Sequence, residues 1–394
     1  MVGSLPFAGL RVLDLTQIYN GPYATFLMAM AGAEVIKVEP PGGEFLRRRD
    51  ARSGAGVPFA MLNACKRSIS LNLKTDKGRD LFLRLVETAD VVAENYAPGV
   101  MDRLGLGYAA LKARNPGVIL ASGSGYGQDG AYRDLPAMDL TVQALSGVMS
   151  VTGFAENPPV KSGAALCDFF GGVHLYGAIA TALFRRERSG EGARIDVSML
   201  EAVYPSLASN IGMTYGARDD IPLRTGNRHG GLSLCPYNVY PAKDGHVAII
   251  CNSDKHWQAL ADCIERPDLK QAPETRSMRA RVANMEMVDA LVSDWTAARE
   301  KARIAELLTR HRVPCAPVRD LPEVVGDETL RARDALLDID HPDYGAITVM
   351  RSALRYEDTP QADYRPSPAY GADNAAIFGD LGCDLEALSR EGVI

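Results

Sequence analysis

A chain of 394 residues is longer than one ordinary compact core, so two domains are expected. Its 46% hydrophobic and 23% charged content is that of a globular protein and excludes disorder or a fibrous repeat. The net charge of −6 excludes a general binder of nucleic acid or anionic membrane, so an anionic ligand must meet a local basic patch.

The opening "MVGSLPFAGLRVLDL" carries no basic leader, and Arg11 interrupts it before a hydrophobic segment forms, so export is not expected. "RVLDLT" reads as a strand, "GPYATFLMAMAGA" as a buried helix and "EVIKVE" as a second strand, which together make a βαβ unit. Thr75 and Asp76 form a cap signal for a helix through "GRDLFLRLVETA", which leads into the strand "DVVAEN". A further strand, "GVILASGSG", follows one more short helix, and the alternation predicts an α/β fold with a mainly parallel sheet covered on both faces.

The basic residues Lys37, Lys66, Arg67 and Arg103 fall beside strand ends or in loops. Singly, each reads as a solvated surface charge; together, cations at the carboxyl ends of parallel strands suit a polyphosphate. The run "FLRRRD" offers Arg47, Arg48 and Arg49 to a carboxylated substrate or to solvent.

In "GAALCDFFGGVHLYGAIATALFRR", Asp168 stands just before a helical run from Phe169 to Arg186. An aspartate there caps free backbone N–H groups; the same groups would keep it ionised as an acyl-accepting nucleophile, and spacing does not choose between the two readings. The nearly uncharged run from Gly171 to Phe184 is too short to span a bilayer. His174 reads as a core histidine, whereas His229 in "GNRHGG" is the better site candidate. Gly230 and Gly231 would let backbone N–H groups approach a carbonyl, or simply form a turn.

Residues 215–236 read as a linker carrying that loop, "NVYPAKDGHVAIIC" as a hairpin, and residues 256–312 as helical, which outlines a small α+β domain over 237–330. Seven scattered cysteines without a C-x-x-C indicate a reduced, cytoplasmic protein, and no metal-ligand spacing, Walker A or G-x-G-x-x-G occurs.

In their order, "GLRVLDLT", "GPYAT", "GAEVIKVEPPGG", "KRSISLNLKTDKG", "VVAENYAPGVMDRLGLGY", "SGAALCDFFGG", "RRERSGEGARIDVSMLEA", "GNRHGG" and "LSREGVI" resemble the class III CoA-transferase family, which includes α-methylacyl-CoA racemases and carnitine CoA-transferases. The resemblance implies a Rossmann-like large domain in which residues 331–394 rejoin 1–214, a smaller inserted domain, and an interlocked homodimer. Coenzyme A is then substrate and product, with no tightly bound cofactor; the partners are an acyl-CoA and a small carboxylic acid, without nucleic acid or membrane.

Asp168 falls on the family's catalytic aspartate, which passes through a mixed anhydride and an aspartyl-CoA thioester before CoA reaches the acceptor. Asn95 and Arg103 fall on CoA contacts. Lys37 and Arg67 are expected to join them, Tyr19, Arg47 and Arg48 to meet substrate, and Asp139, His229, Gly230 and Gly231 to support catalysis or the loop. Met138 stands where the racemases carry a histidine, so the proton-accepting base is missing. Formyl-CoA:oxalate transferases carry glutamine where Tyr19 stands, which argues against oxalate, and Pro40 and Pro136 occupy two basic CoA-contact positions. The expected function is CoA transfer from a donor such as succinyl-CoA or another dicarboxylyl-CoA. The alternatives are an acyl-CoA racemase or epimerase, and a non-catalytic CoA-binding protein in which Asp168 only caps its helix.

Overall fold

Short runs of valine, isoleucine and leucine form β1 (Arg11–Asp14), β2 (Glu34–Glu39), β3 (Arg67–Ser70), β4 (Val91–Glu94), β5 (Ile119–Ser124) and β6 (Ala193–Ser198). They make one wholly parallel sheet in the order β3-β2-β1-β4-β5-β6. The computed structural model describes residues 5–49, 54, 56–216 and 222–394. Two compact units emerge: residues 1–145, 164–205 and 327–394 form the first, which holds this sheet, and residues 146–163 and 206–326 form the second.

Alternation along the strands feeds two cores. Val12, Val35, Val91 and Ile119 point to the side covered by α1 (Asn20–Met30), whereas Leu13, Ile36, Val92 and Leu120 point to the side covered by α2 (Asp76–Val86). The cap signal at Thr75 is realised, its hydroxyl accepting from the Gly78 N–H at 3.0 Å. The outer edge of β3 is covered by the C-terminal segment: Asp373 accepts from the Ser68 N–H at 2.8 Å and Asn374 from the Ser70 N–H at 2.9 Å, leaving no open pairing edge there.

Next come α3 (Tyr108–Arg114) and α4 (Asp139–Ser146), and then α5 (Leu166–Ser189), a 24-residue helix that starts three residues earlier than the run expected from Phe169. By length and composition α5 would pass for a membrane span. Within the first unit, however, Leu175, Ile179 and Leu183 bury it in the core shared with α1 and the sheet.

Gly171 and Gly172 permit the close approach of α1. A Cβ on Gly171 would lie 2.1 Å from Asn20 Nδ2 and 3.0 Å from Met199 Cγ, and one on Gly172 would lie 2.6 Å from the Asn20 carbonyl oxygen. Alanine ordinarily stabilises a helix interior by ~1 kcal/mol over glycine. Here the sign reverses: Gly171→Ala is expected to cost about 1–3 kcal/mol by overpacking, read as a lower urea midpoint at unchanged m. A midpoint equal to or above wild type would contradict this contact.

In the second unit β7 (Tyr237–Ala242) and β8 (Gly245–Ile250) form the expected hairpin, and β9 (Cys315–Pro317) adds a third antiparallel strand. The sheet carries α6 (Asp254–Cys263), α7 (Met285–Ala297) and α8 (Lys301–Arg310), packed through Tyr240, Trp257, Val292 and Ile304. The anticipated linker over 215–236 falls within this unit, with residues 217–221 outside the described ones. A further hairpin, β10 (Leu336–His341) with β11 (Gly345–Met350), belongs to the first unit and was not anticipated from its sequence.

Candidate active site

The order of strands reverses between β1 and β4, so the chain departs in opposite directions at their carboxyl ends and opens a crevice there. The Asn95 side chain bridges it, accepting from the Gln17 N–H and donating to the Gln17 carbonyl, both at 2.8 Å. A cavity of about 420 Å³ lies beyond β4 and β5, lined among others by Asn95, Arg103, Ser124, Gly125, Arg133 and Ala137. Arg103 and Arg133 converge: their guanidinium nitrogens lie 3.1 and 3.3 Å from the position a Cβ on Gly99 would take, and both side chains are exposed. Two cations beside a crevice amide suit a phosphate or diphosphate. Arg133 was missed by sequence reasoning; its signal was its place in a glycine-punctuated loop that follows a buried strand.

The cavity wall ends at Ala137, two residues before Asp139 and the start of α4. Asp139 reaches the N-terminus of α5: its Oδ1 accepts from the Cys167 N–H at 2.8 Å and the Asp168 N–H at 3.2 Å. Its Oδ2 accepts from Gln143 Nε2 at 2.5 Å. The expected cap is therefore corrected. Asp168 lies inside the first turn of α5 and not before it, the first-turn N–H groups bond Asp139, and the cap residue is Ala165, without a side-chain bond.

The Asp168 carboxyl itself is half-buried and has no hydrogen bond or ion pair among the described residues. Its pKa is pushed up to about 7, first by burial and then by the Asp139 charge, so the expectation that the helix terminus keeps it firmly ionised is also corrected. The buried Cys167 thiol is pushed up to about 12 by burial and the same two carboxylates, which makes it a poor nucleophile near neutrality. Tyr19 stands at the N-terminus of α1, where its ring stacks on Phe169 with centroids 6.1 Å apart, next along the chain from Asp168.

Other anticipated cations are consumed by internal partners. Lys37 is fully buried and donates to the Thr16 carbonyl at 2.8 Å, so it has no path to a ligand phosphate. Arg67 binds Glu34 at 2.6 Å and Asp373 at 2.9 Å. Arg47 holds Glu39 through two bonds of 2.7 and 2.9 Å, reaches the Pro368 carbonyl at 3.0 Å, and lies over the Phe59 ring. Arg48 remains exposed.

His229, Gly230 and Gly231 lie in the second unit. There His229 Nδ1 accepts from the Gly231 N–H at 3.2 Å, which makes a tight turn, and the ring packs edge-on to Tyr237. Arg228, not singled out in the sequence, anchors the turn by ion pairs to Glu286 and Asp289, each at 2.7 Å. Among the described residues no cluster of His, Cys, Asp and Glu is arranged to hold a metal ion.

A family model described as CoA-transferase family III matches residues 7–374. A succinyl-CoA:mesaconate CoA-transferase from Haloarcula marismortui is 37% identical, over 95% of this chain and 96% of its own. A formyl-CoA:oxalate CoA-transferase from Streptomyces avermitilis is 34% identical over 98% of both chains. A solved structure of a CAIB/BAIF family protein from Brucella suis superposes with a TM-score of 0.85 at 32% identity, covering 96% of this chain and all of the other.

Proposed function

Since the chain belongs to CoA-transferase family III, we propose that this member moves CoA from a dicarboxylyl-CoA such as succinyl-CoA to a small organic acid by covalent relay through Asp168. The observation that carries the relay is the half-buried Asp168 carboxyl left without a partner, at a helix terminus bonded by Asp139, which follows two residues after the Ala137 end of the cavity wall that holds Arg103 and Arg133.

An Asp168 oxygen attacks the thioester carbonyl; the C–O bond forms, the C–S bond breaks, and CoA leaves as thiolate. The thiolate then attacks the Asp168 carbonyl of the mixed anhydride, which yields the aspartyl-CoA thioester and frees the donor acid. The acceptor carboxylate attacks that thioester to form a second anhydride, and the returning thiolate takes its acyl group and restores Asp168. Each step exchanges one activated acyl bond for another, so the thioester's energy is kept. Tyr19, stacked on the neighbouring Phe169, bounds the acyl side.

A dicarboxylyl donor is favoured by the Haloarcula relative, whose named substrates are both four- or five-carbon dicarboxylic acids. With Lys37, Arg47 and Arg67 engaged internally, CoA phosphates fall to Arg103 and Arg133, with Asn95 holding the crevice open. Arg103→Ala and Arg133→Ala are each expected to raise KM for the acyl-CoA about tenfold or more while kcat changes little, the cost of one charge-assisted phosphate contact. An unchanged KM in both variants would move the phosphates elsewhere.

The protein works as a homodimer in this reading, supported by apolar side chains that the single chain leaves exposed on α5, among them Val173 at 48% and Phe184 at 60%, and the scattered cysteines without a C-x-x-C favour the cytoplasm. The relay is tested by intact-mass spectrometry after incubation with succinyl-CoA and other acyl-CoAs. A CoA- or acyl-sized adduct on wild type, absent in Asp168→Asn, supports it. No adduct on wild type with any donor, together with solvent exchange of the substrate α-proton, would replace it with racemase chemistry.

A further inference from the structure

We infer that Asp139 is the positioning residue that holds Asp168 in its reactive state, by taking the N–H groups of the α5 terminus for itself and leaving its own negative charge beside the nucleophile. The inference rests on the aspartyl relay proposed above.

A carboxylate inside the first turn of a helix ordinarily gains from the terminal N–H groups and the helix dipole, and that gain makes it a weaker base and nucleophile. Here the N–H groups of Cys167 and Asp168 are both bonded to Asp139 Oδ1, and Gln143 fixes Asp139 through Oδ2. Asp168 is left without a donor and next to a like charge. The groups around it are Asp139 from α4, Cys167 from its own helix, and the Tyr19 and Tyr23 rings of the α1 terminus through Phe169. Of the charged groups among the described residues, Asp139 is the one that acts on it.

The consequence runs through every covalent step. The free carboxylate of Asp168 repels Asp139, whereas the anhydride and the aspartyl thioester are uncharged at that position and do not. Asp139 therefore raises the free enzyme relative to both intermediates, so that acylation relieves repulsion. Asparagine at this position would keep an Oδ1 acceptor for the same two N–H groups while removing the charge.

The test compares wild type, Asp139→Asn and Gln143→Met in the pH dependence of kcat/KM and in the equilibrium fraction of covalent adduct by intact-mass spectrometry. In Asp139→Asn the acid limb is expected to move down by about one pH unit or more, and the adduct fraction to fall several-fold. Gln143→Met keeps the charge but removes one donor to it, so the acid limb is expected to move up. This opposite shift keeps the test decisive if Asp139→Asn folds poorly.

A purely structural cap would lower activity without moving either limb. If wild type forms the adduct while neither limb moves and the adduct fraction is unchanged, the inference falls and the relay stands. If wild type forms no adduct, the relay itself falls, and the inference with it.

Discussion

Asp168→Asn is expected to lower CoA transfer by about four orders of magnitude or more, with no covalent species at any acyl-CoA concentration, because the step that fails is the one that splits the exchange into two easier halves. The same variant separates nucleophile from cap. Asp168 makes no side-chain bond and the cap comes from Asp139, so nothing structural is lost with the charge.

Stability is expected to change in the favourable direction, by an amount that grows as pH rises above about 4. The carboxyl of Asp168 titrates near 7 in the folded chain against 3.8 in the reference state, so between these values the folded protein binds more protons than the unfolded one. Folding is thus weakened as pH rises from about 4 to about 7, and the full penalty is present above that. Asparagine removes it: the variant is expected to melt above wild type at pH 8 and level with it at pH 4. Equal transfer rates would remove Asp168 from the chemistry. A variant less stable than wild type at pH 8 would show that the carboxylate has a structural partner.

Lys66→Met is expected to cost about 3–5 kcal/mol, the largest stability loss of the substitutions considered, since it strands a buried charge. Lys66 and Asp14 are wholly buried and paired at 2.9 Å. The lysine also donates to Thr25 and Asn63, each at 2.8 Å, and Asp14 accepts from the Thr16 N–H at 2.9 Å and the Thr25 hydroxyl at 2.8 Å. Burial alone would raise the Asp14 carboxyl, but the charges of Lys66 and Lys37, with the Lys66 and Thr16 hydrogen bonds, outweigh it and lower the pKa to about 2.

Its folded value lies below the 3.8 reference, so this stabilisation is full above about pH 4 and is lost as pH falls towards 2. The deficit of Lys66→Met, measured by urea unfolding, is therefore expected to be large at pH 7 and to narrow at pH 3. A deficit below about 1 kcal/mol at pH 7 would overturn the account. Activity should fall as well, because this cluster fixes the turn after β1 that runs through Gln17 to Tyr19. A double variant, Asp14→Leu with Lys66→Met, removes both charges and is expected to recover part of the loss.

The contrast between these two carboxylates shows how far sequence reading reaches. Both stand near the end of a recognisable element, Asp14 of a strand and Asp168 of a helix, and the elements were legible from the apolar runs beside them, although Asp168 was read as preceding the helix and lies inside its first turn. Their states were not. Asp14 is held strongly ionised by lysines 52 and 23 residues away, whereas Asp168 is pushed towards protonation by an aspartate 29 residues before it. The basic residues repeat the lesson. Lys37, Lys66, Arg67 and Arg103 each read as a surface charge beside a strand end or loop and Arg47 as a contact for substrate, yet all but Arg103 are tied to internal partners, and Arg103 finds its companion in Arg133, a residue the pattern did not mark.

By itself the sequence determined the alternating α/β layering, the parallel sheet, the Thr75 cap, the hairpin of the second unit, the long helix that opens beside Asp168, and the family resemblance. These rest on periodicity, turn chemistry and ordered motifs, all of which act between residues near one another in the chain or in the order of its segments. The tertiary structure alone decided which cations are tied to internal partners, which carboxylate owns the N–H groups of that helix, and which acid is left without a partner. Those outcomes depend on burial and on charges brought within a few ångströms from distant parts of the chain, and the free energy of a charge is set by that surrounding rather than by its neighbours in sequence.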